Sequence, residues 1–323
     1  MKVLVFLEHN GKELLKGPLG VLGKASALGA DEVAAVLVGG ETVSGLASEA
    51  GRFGAGKVYL AEGEELDAPL PQARIDVLER VVTTSGSDTV LFSNSVLTAD
   101  VAAGLAARLG AGLNWDLVDI VERHGALVGK RLVFQDSALV DVGWRSGKKV
   151  ALFRPGSFDA VAGDAVEPEI ERVTVELQEH SRRATLVSQS TEGGGGASFD
   201  DADVIVAGGM GLGAPENFSL AENLAAVLGG AVGATRAAVY AGWYPRSAQI
   251  GQTGRTVSPN LYMALGISGA VQHKVGMQGS KTIVAINKDP NAPIFEVCDL
   301  AVVGDVEEIV PRLTDLLRQR TER

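Results

Sequence analysis

The chain has 323 residues, about two domains of ordinary size, and 46% of them are hydrophobic, enough for two buried cores. The 40 acidic and 29 basic residues leave a formal net charge of −11, which disfavours nucleic acid and anionic membrane surfaces as partners. Cys298 is the single cysteine, so no intramolecular disulfide and no Cys-rich zinc site is expected. The apolar run at residues 1–9 is too short for a signal or membrane segment. We therefore predict a reduced, cytoplasmic protein without membrane insertion.

The first part of the chain alternates aliphatic runs with amphipathic stretches. Strands are predicted at 2–8, 32–38, 57–60 and 88–94, and helices at 13–28, 42–53, 72–83 and 97–109. This alternation predicts parallel βαβ units. Only strand-like segments follow, and we expect them to form hairpins or edge strands added to the same sheet: 130–134, 138–142, 149–153 and 172–177. Residues 1–190 are predicted to form a Rossmann-like α/β domain that serves as scaffold and partner interface.

A glycine-rich segment follows this region. Residues 189–198 lack apolar periodicity and contain four consecutive glycines, so 191–200 is predicted to be a linker. The alternative is a long surface loop inside one domain, which is uncommon in compact folds. Residues 201–323 are then a second α/β domain with a doubly wound sheet.

The second domain opens with a glycine-rich turn. A strand at 203–207 runs into the turn 208–213, and a helix is predicted from Pro215 to about Leu228. Backbone N–H groups at such a turn bind phosphate or pyrophosphate. The acidic residue expected about 20 residues later in an NAD site is absent, and Arg236 stands in that stretch, which disfavours NAD.

Two further anion sites are expected at predicted helix starts. Ser258-Pro259 and Ser268-Gly269 both have the residue types that begin helices. Together with the glycine turn they make three anion-binding turns in one domain, which favours a ligand of dinucleotide size.

The motifs of residues 208–310 resemble one family closely. The segments 234–239, 251–254, 266–273 and 282–290 are similar to the FAD domain of electron transfer flavoprotein alpha subunits, and the opening strand at 3–9 extends the resemblance to nearly the whole chain. The resemblance implies an alpha subunit paired with a smaller beta subunit and carrying one FAD on the C-terminal domain. It implies an electron carrier, rather than an enzyme with its own substrate, between acyl-CoA-type dehydrogenases of fatty acid β-oxidation and a quinone reductase or other acceptor.

The resemblance also implies roles for individual residues. Arg236 would lie beside the flavin ring and favour its one-electron-reduced anion, and the Thr253 hydroxyl would bind the N5/C4 edge. His273 would donate to the C2 carbonyl, residues 268–273 would wrap the ring and pyrophosphate, and Asn287, Asp305 and Val306 would bind the ribityl and adenosine half. The predicted cofactor-binding set is Thr235, Arg236, Ile250, Gly251, Gln252, Thr253, Ser268, Gly269, Ala270, Val271, Gln272, His273, Asn287, Asp305 and Val306.

One position departs from the family pattern. Met210 stands in the glycine turn where an arginine is usual, and the loss of one charge-assisted bond to the cofactor costs about 1.5–3 kcal/mol. Trp243 and Thr256-Val257 look more like the electron-bifurcating members, which carry a second flavin in the beta subunit.

Alternative interpretations remain open at this point. A stand-alone NAD(P)- or FAD-dependent oxidoreductase and a nucleotide-sensing module are the other candidate functions, and Arg236 taken alone fits a salt-bridged surface residue. His9, His124 and His180 are interpreted as structural or surface residues, and Cys298 as a small buried hydrophobe. No metal-ligand spacing, nucleophile elbow or Walker lysine is present in the sequence.

Overall fold

The computed structural model describes residues 1–134, 136–164, 166–188 and 202–321. The chain divides into two compact units, Met1–Gln189 and Ser190–Arg323. The predicted linker, 191–200, lies outside the described residues. No helix in the described ranges is both long and apolar enough to cross a membrane.

The N-terminal unit is built around one nine-stranded sheet. Its strands are β1 (Lys2–Leu7), β2 (Glu32–Gly39), β3 (Lys57–Glu62), β4 (Thr89–Ser93), β5 (Gly112–Arg123), β6 (Ala126–Val133), β7 (Ala138–Val142), β8 (Lys149–Phe153) and β9 (Glu169–Arg172). Its α-helices are α1 (Lys16–Ser26), α2 (Pro71–Ser85) and α3 (Val96–Leu109), and shorter 3-10 helices lie at Val43–Phe53, Glu64–Leu66 and Glu179–Arg182.

The strand order is β7-β6-β5-β8-β4-β1-β2-β3-β9. In the part of the sheet that runs β5-β8-β4-β1-β2-β3-β9, every pairing is parallel. β6 and β7 add an antiparallel arm at the β5 end. Both faces of the parallel part are covered, because Val3, Val5 and Leu7 of β1 enter one core and Leu4 and Phe6 enter the other. The predicted Rossmann-like sheet with added antiparallel strands is confirmed.

Three predicted elements of this unit need correction. Residues 43–53 form a 3-10 helix instead of an α-helix, since Gly45 and Gly51 lower the α-helical propensity of this stretch. The segment 149–153 is an interior parallel strand, as its nearly unbroken apolar run requires. The last strand pairs with β3 over Glu169–Arg172 rather than over 172–177, with Arg172 opposite Leu60.

The C-terminal unit holds a six-stranded sheet in which every pairing is parallel. Its strands are β10 (Val204–Gly208), β11 (Ala231–Thr235), β12 (Gln249–Ile250), β13 (Leu261–Leu265), β14 (Thr282–Asn287) and β15 (Leu300–Val303). Its α-helices are α4 (Phe218–Leu228), α5 (Arg236–Tyr240), α6 (Val271–Lys274) and α7 (Val306–Thr321), with 3-10 helices at Met210–Leu212, Pro215–Asn217, Arg246–Ala248 and Pro293–Glu296.

The order of this sheet, β12-β11-β10-β13-β14-β15, reverses direction between β10 and β13. The chain winds outward from β10 to β12, then returns and winds outward from β13 to β15. This is a doubly wound sheet, as predicted, and its topological switch point lies between β10 and β13. In folds of this kind, ligands bind outside the carboxyl ends of the strands at that point.

Two predicted helix starts in this unit are wrong or shorter than expected. Ser258-Pro259 leads into the buried strand β13, because the apolar run 261–265 pairs with a strand on each side. After Ser268-Gly269, the helix α6 begins only at Val271 and lasts a single turn. Cys298, interpreted from the sequence as a small buried hydrophobe, follows the 3-10 helix Pro293–Glu296 and is half-buried.

Candidate functional site

The carboxyl ends of the six C-terminal strands meet at one edge of the sheet. Thr235 and Ile250 are register partners at the ends of β11 and β12. Gly208 pairs with Leu265 where β10 and β13 end, on the two sides of the switch point. The edge continues with Asn287 at the end of β14 and with Asp305, which follows β15. The sheet therefore brings these predicted site residues to one edge.

Two glycine turns contact each other backbone to backbone at the switch point. The N–H of Gly209 donates to the Leu265 carbonyl at 3.0 Å, and that of Gly211 donates to the Gly266 carbonyl at 2.9 Å. A Cβ at Gly211 would lie 2.6 Å from the Gly266 oxygen, and Gly266 has φ +61°. Only glycine fits this approach. Met210 lies in this turn, and its side chain is exposed.

Free backbone donors follow the second of these turns. The N–H groups of Ser268, Gly269 and Ala270 donate to no acceptor within the described ranges. The segment is held from the other side, because the N–H of Ile294 donates to the Ser268 carbonyl at 3.0 Å. Consecutive unpaired N–H groups next to a left-handed glycine, here Gly269 with φ +89°, form a concave site suited to phosphate oxygens.

The turn 251–254 lies beside α6. The N–H of Gln252 donates to the Gln272 carbonyl at 2.8 Å, and a Cβ at Gly251 would lie 2.7 Å from the same oxygen. The turn itself is closed by the N–H of Gly254 on the Gly251 carbonyl at 2.9 Å. Gln252, Thr253 and Gln272 are exposed, so amide and hydroxyl groups from two segments line the same side of the site.

Arg236 is an exposed cation at this edge. It begins α5, whose first turn is capped by the Thr235 hydroxyl, which accepts from the Ala238 N–H at 3.4 Å. The guanidinium carbon lies 4.8 Å from the centre of the Tyr240 ring, a cation–π contact that orients the side chain. In the described ranges Arg236 has no carboxylate partner, unlike the salt-bridged surface arginine of the alternative interpretation. Its charge is available to a ligand.

Three predicted side chains make hydrogen bonds to other groups of the protein. Asn287 donates from Nδ2 to the Ile267 carbonyl at 2.8 Å and accepts from the Asp289 N–H, which fixes the loop after β13. Asp305 accepts from the Glu307 N–H at 2.9 Å and thereby caps α7, which begins at Val306. His273 is buried. Contact of these residues with a cofactor stays a prediction.

His273 has protein partners at both ring nitrogens. Nδ1 lies 3.2 Å from the Ile250 carbonyl, and Nε2 lies 2.9 Å from the hydroxyl of Tyr262, which is fully buried. Because a carbonyl only accepts, Nδ1 carries the hydrogen and Nε2 accepts from the tyrosine. The expected donation from His273 to a flavin carbonyl does not fit this arrangement, since no ring N–H remains for a ligand. His273 instead ties β13 to the end of β12.

Burial lowers the pKa of His273 to about 4, from the usual 6.5. The imidazole is therefore neutral at pH 7, and protonation would place a charge in the core. Because the folded pKa is the lower one, its contribution to stability is complete above pH 6.5 and is lost as the pH falls toward 4. We expect this group to lower the free energy of unfolding by about 3 kcal/mol over that range. Urea unfolding at several pH values measures it.

The matched variant for this pH dependence is His273→Gln. It is expected to be less stable than the unmodified chain at pH 7, because the Tyr262 hydroxyl loses its partner, but to show a flatter decline toward pH 4. The carboxylates that titrate in this range are common to both proteins and cancel in the comparison. Equal slopes for the two proteins would contradict the assignment of a neutral, buried His273.

Sequence reasoning missed two buried polar residues of this site. Gln249, in β12, donates from Nε2 to the Thr253 hydroxyl at 3.1 Å. Tyr262, in the apolar run of β13, supports His273 as described. The available signal was the residue type itself, because a glutamine or tyrosine within a buried strand needs a hydrogen-bond partner.

The fold and the site together define a dinucleotide-binding module of the Rossmann type. The glycine cradle, formed by the turn 208–213 and Gly266, and the free N–H groups of 268–270 fit the phosphates of a dinucleotide. In the described ranges no three His, Cys, Asp or Glu side chains cluster as a metal site.

Comparison with known proteins specifies the family. The sequence model described as "Electron transfer flavoprotein domain" matches residues 3–178, and the one described as "Electron transfer flavoprotein FAD-binding domain" matches residues 198–278. The electron transfer flavoprotein subunits alpha of Mycobacterium leprae (strain TN) and Mycobacterium tuberculosis (strain ATCC 25618 / H37Rv) are each 42% identical over 322 residues, covering 99% of both chains. That of Bacillus subtilis (strain 168) is 37% identical over 320 residues, covering 98% of both.

The chain belongs to the electron transfer flavoprotein alpha subunit family. The family resemblance read from the sequence and FAD as the cofactor are thereby confirmed. The roles of the individual site residues stay predictions.

Proposed function

We propose that this chain is the alpha subunit of a heterodimeric, cytoplasmic electron carrier whose FAD lies at the carboxyl edge of the C-terminal sheet. The carrier takes electrons from flavin dehydrogenases of the acyl-CoA type and delivers them to a quinone reductase or another acceptor. The observation that carries the proposal is that a glycine cradle, free backbone donors and an unpaired guanidinium all lie along the carboxyl edge of one parallel sheet.

The side chains of the site favour a carrier over an enzyme with its own substrate. The exposed groups of the predicted set are the Arg236 guanidinium, the amides of Gln252 and Gln272 and the hydroxyls of Thr253 and Ser268, while Asp305 caps a helix. The guanidinium, the two amides and the two hydroxyls do not act as general bases at neutral pH. FAD supplies the redox chemistry when bound, and the protein holds it and sets its potential.

We assign each of these groups a role toward FAD according to its position and chemistry. The N–H groups of 268–270 hold phosphate oxygens, and Gln252 and Thr253 orient the flavin ring by hydrogen bonds. Arg236 compensates negative charge on the ring, which raises its reduction potential. The bifurcating alternative stays an expectation from the sequence: of the residues that suggest it, Trp243 packs against the core, Val257 is buried and Thr256 is exposed.

A direct test of the carrier function uses the complex with a beta-type subunit and an acyl-CoA dehydrogenase. Under anaerobic conditions, the flavin absorbance of the complex is expected to bleach only when the dehydrogenase and its acyl-CoA are both present. Direct reduction by the acyl-CoA alone would indicate an enzyme with its own substrate instead. Failure of any dehydrogenase of this type to reduce the flavin would reject the proposed donor class.

We assign the beta subunit to the antiparallel arm formed by β6 and β7 and to the adjoining strand β5. Three apolar side chains are exposed there: Trp115 in β5 (55%), Phe134 directly after β6 (82%) and Leu139 in β7 (54%). The outer strand, β7, also presents a free edge. Exposed apolar side chains on a free sheet edge are typical of a surface that another chain covers. In this family, the chain proposed to cover it is the beta subunit.

Leu139→Glu is expected to reduce pairing with the beta-type subunit by at least tenfold, because a carboxylate would be buried in the interface. The fold should persist, since the side chain is exposed. Co-purification yield and analytical ultracentrifugation measure the pairing. The matched control is Val96→Glu, which places the same charge at a residue 90% exposed on α3. Equal pairing of both variants would remove the arm as the interface.

A further inference from the structure

We propose that Gln249 is a positioning residue that directs the Thr253 hydroxyl hydrogen toward the bound FAD. This proposal rests on the proposed function, because it assumes that FAD occupies the edge next to Thr253. Gln249 is 4% exposed, whereas Thr253 is exposed on the turn that follows β12. The buried residue thus lies beneath the accessible one.

Gln249 anchors the turn through its backbone as well as its side chain. Its carbonyl accepts from the Arg255 N–H at 2.8 Å, while the N–H of Gly251 donates to the Arg255 carbonyl at 3.0 Å. Across this closed turn, Nε2 of Gln249 donates to Oγ1 of Thr253 at 3.1 Å. The turn therefore holds Thr253 at a fixed position relative to β12.

The direction of this hydrogen bond decides what the threonine offers a ligand. A hydroxyl has one hydrogen and two lone pairs, and the Gln249 amide occupies a lone pair. The hydrogen of Thr253 is left to donate, and no acceptor for it lies in the described ranges. The exposed Thr253 hydroxyl can therefore donate its hydrogen to an acceptor atom of the flavin ring.

A second observation separates this role from a purely structural one. The other amide atom, Gln249 Oε1, is buried and has no hydrogen-bond partner within the described ranges. A buried acceptor without a partner lowers stability, and an apolar side chain of the same length would avoid that cost. The glutamine is therefore not the residue that stability alone favours at this position.

The test compares Gln249→Met, Thr253→Val and the double variant in the complex with the beta-type subunit. Three quantities are measured: the dissociation constant for added FAD by flavin fluorescence, the reduction midpoint potential, and the thermal unfolding midpoint of the FAD-free complex. Each single variant is expected to raise the dissociation constant about tenfold and to shift the potential in the same direction. Because both remove one interaction, the double variant should resemble the singles.

The unfolding midpoint of the FAD-free Gln249→Met complex is expected to stay unchanged or to rise. A second variant, Gln249→Glu, reverses the bond: the carboxylate accepts from Thr253, so it should weaken FAD binding as much as Thr253→Val does.

Specific outcomes overturn the proposal. They are additive effects in the double variant, an unchanged FAD affinity and potential in Gln249→Met while Thr253→Val alters both, or a Thr253→Val variant with no effect. In each of these cases the unmodified complex still binds FAD, so the proposed function survives. If the unmodified complex does not bind FAD, the proposed function itself fails.

Discussion

Replacing Gly266 by alanine is expected to destabilise the C-terminal unit by about 2–5 kcal/mol and to abolish retention of FAD. Gly266 has φ +61°, where an alanine costs about 1–2 kcal/mol. Its Cβ would also lie 2.5 Å from the carbonyl carbon of Gly211, a backbone atom that cannot move aside locally, and overpacking of this kind costs about 1–3 kcal/mol. The two turns would separate, and the cradle at the switch point would open.

Gly229→Ala provides the control for this prediction. Gly229 has φ +64°, nearly the same backbone conformation, but no atom lies within 4 Å of its Cβ position. It should lose about 1–2 kcal/mol and keep FAD. The measurements are chemical unfolding and the FAD-to-protein ratio after gel filtration. If the two variants behave alike, the contact between the glycine turns does not shape the site.

Arg236→Ala is expected to lower the reduction midpoint potential of the bound FAD by about 60–120 mV. The guanidinium favours the negatively charged, reduced ring, and a hydrogen bond to a charged group contributes about 1.5–3 kcal/mol. For transfer of one electron, a tenfold change in the equilibrium corresponds to about 59 mV. The fold should survive, because Arg236 is exposed and its described contact is with the Tyr240 ring.

Two further variants serve as controls for Arg236→Ala. Arg236→Lys keeps the charge and loses the planar guanidinium, so it should shift the potential less. Arg246→Ala removes another exposed arginine of the same unit and should leave the potential nearly unchanged. Spectroelectrochemical titration of the FAD-loaded complex measures all three. An Arg236→Ala complex with the potential of the unmodified one would contradict the assigned role.

Much of the fold could be predicted from the sequence because its signals are local. Alternating apolar runs and amphipathic stretches indicate parallel βαβ units, and the turn at 208–213 after a strand indicates a dinucleotide site. These patterns depend on neighbouring residues only. The structure adds the strand order, which places the glycine turn and Gly266 on opposite sides of one switch point.

The errors fall where contacts distant in sequence decide the outcome. Ser258-Pro259 has the residue types of a helix start, yet pairing on both sides makes the following run a strand. The run 149–153 is interior because β4 and β5 flank it. The hydrogen-bond partner of His273 was likewise out of reach of local patterns, since the hydroxyl that holds it belongs to Tyr262, on another strand. Gln249 was missed since its partner is defined by the closure of a turn.

The most direct test of the central claim is FAD binding followed by reduction. The chain would be co-purified with a beta-type subunit, its flavin content determined, and the complex titrated anaerobically with dithionite while absorbance is recorded. We predict a yellow complex with one FAD bound to this chain, reduced in two separate one-electron steps. A colourless complex that does not take up added FAD, or one whose FAD is reduced only in a single two-electron step, would contradict the account.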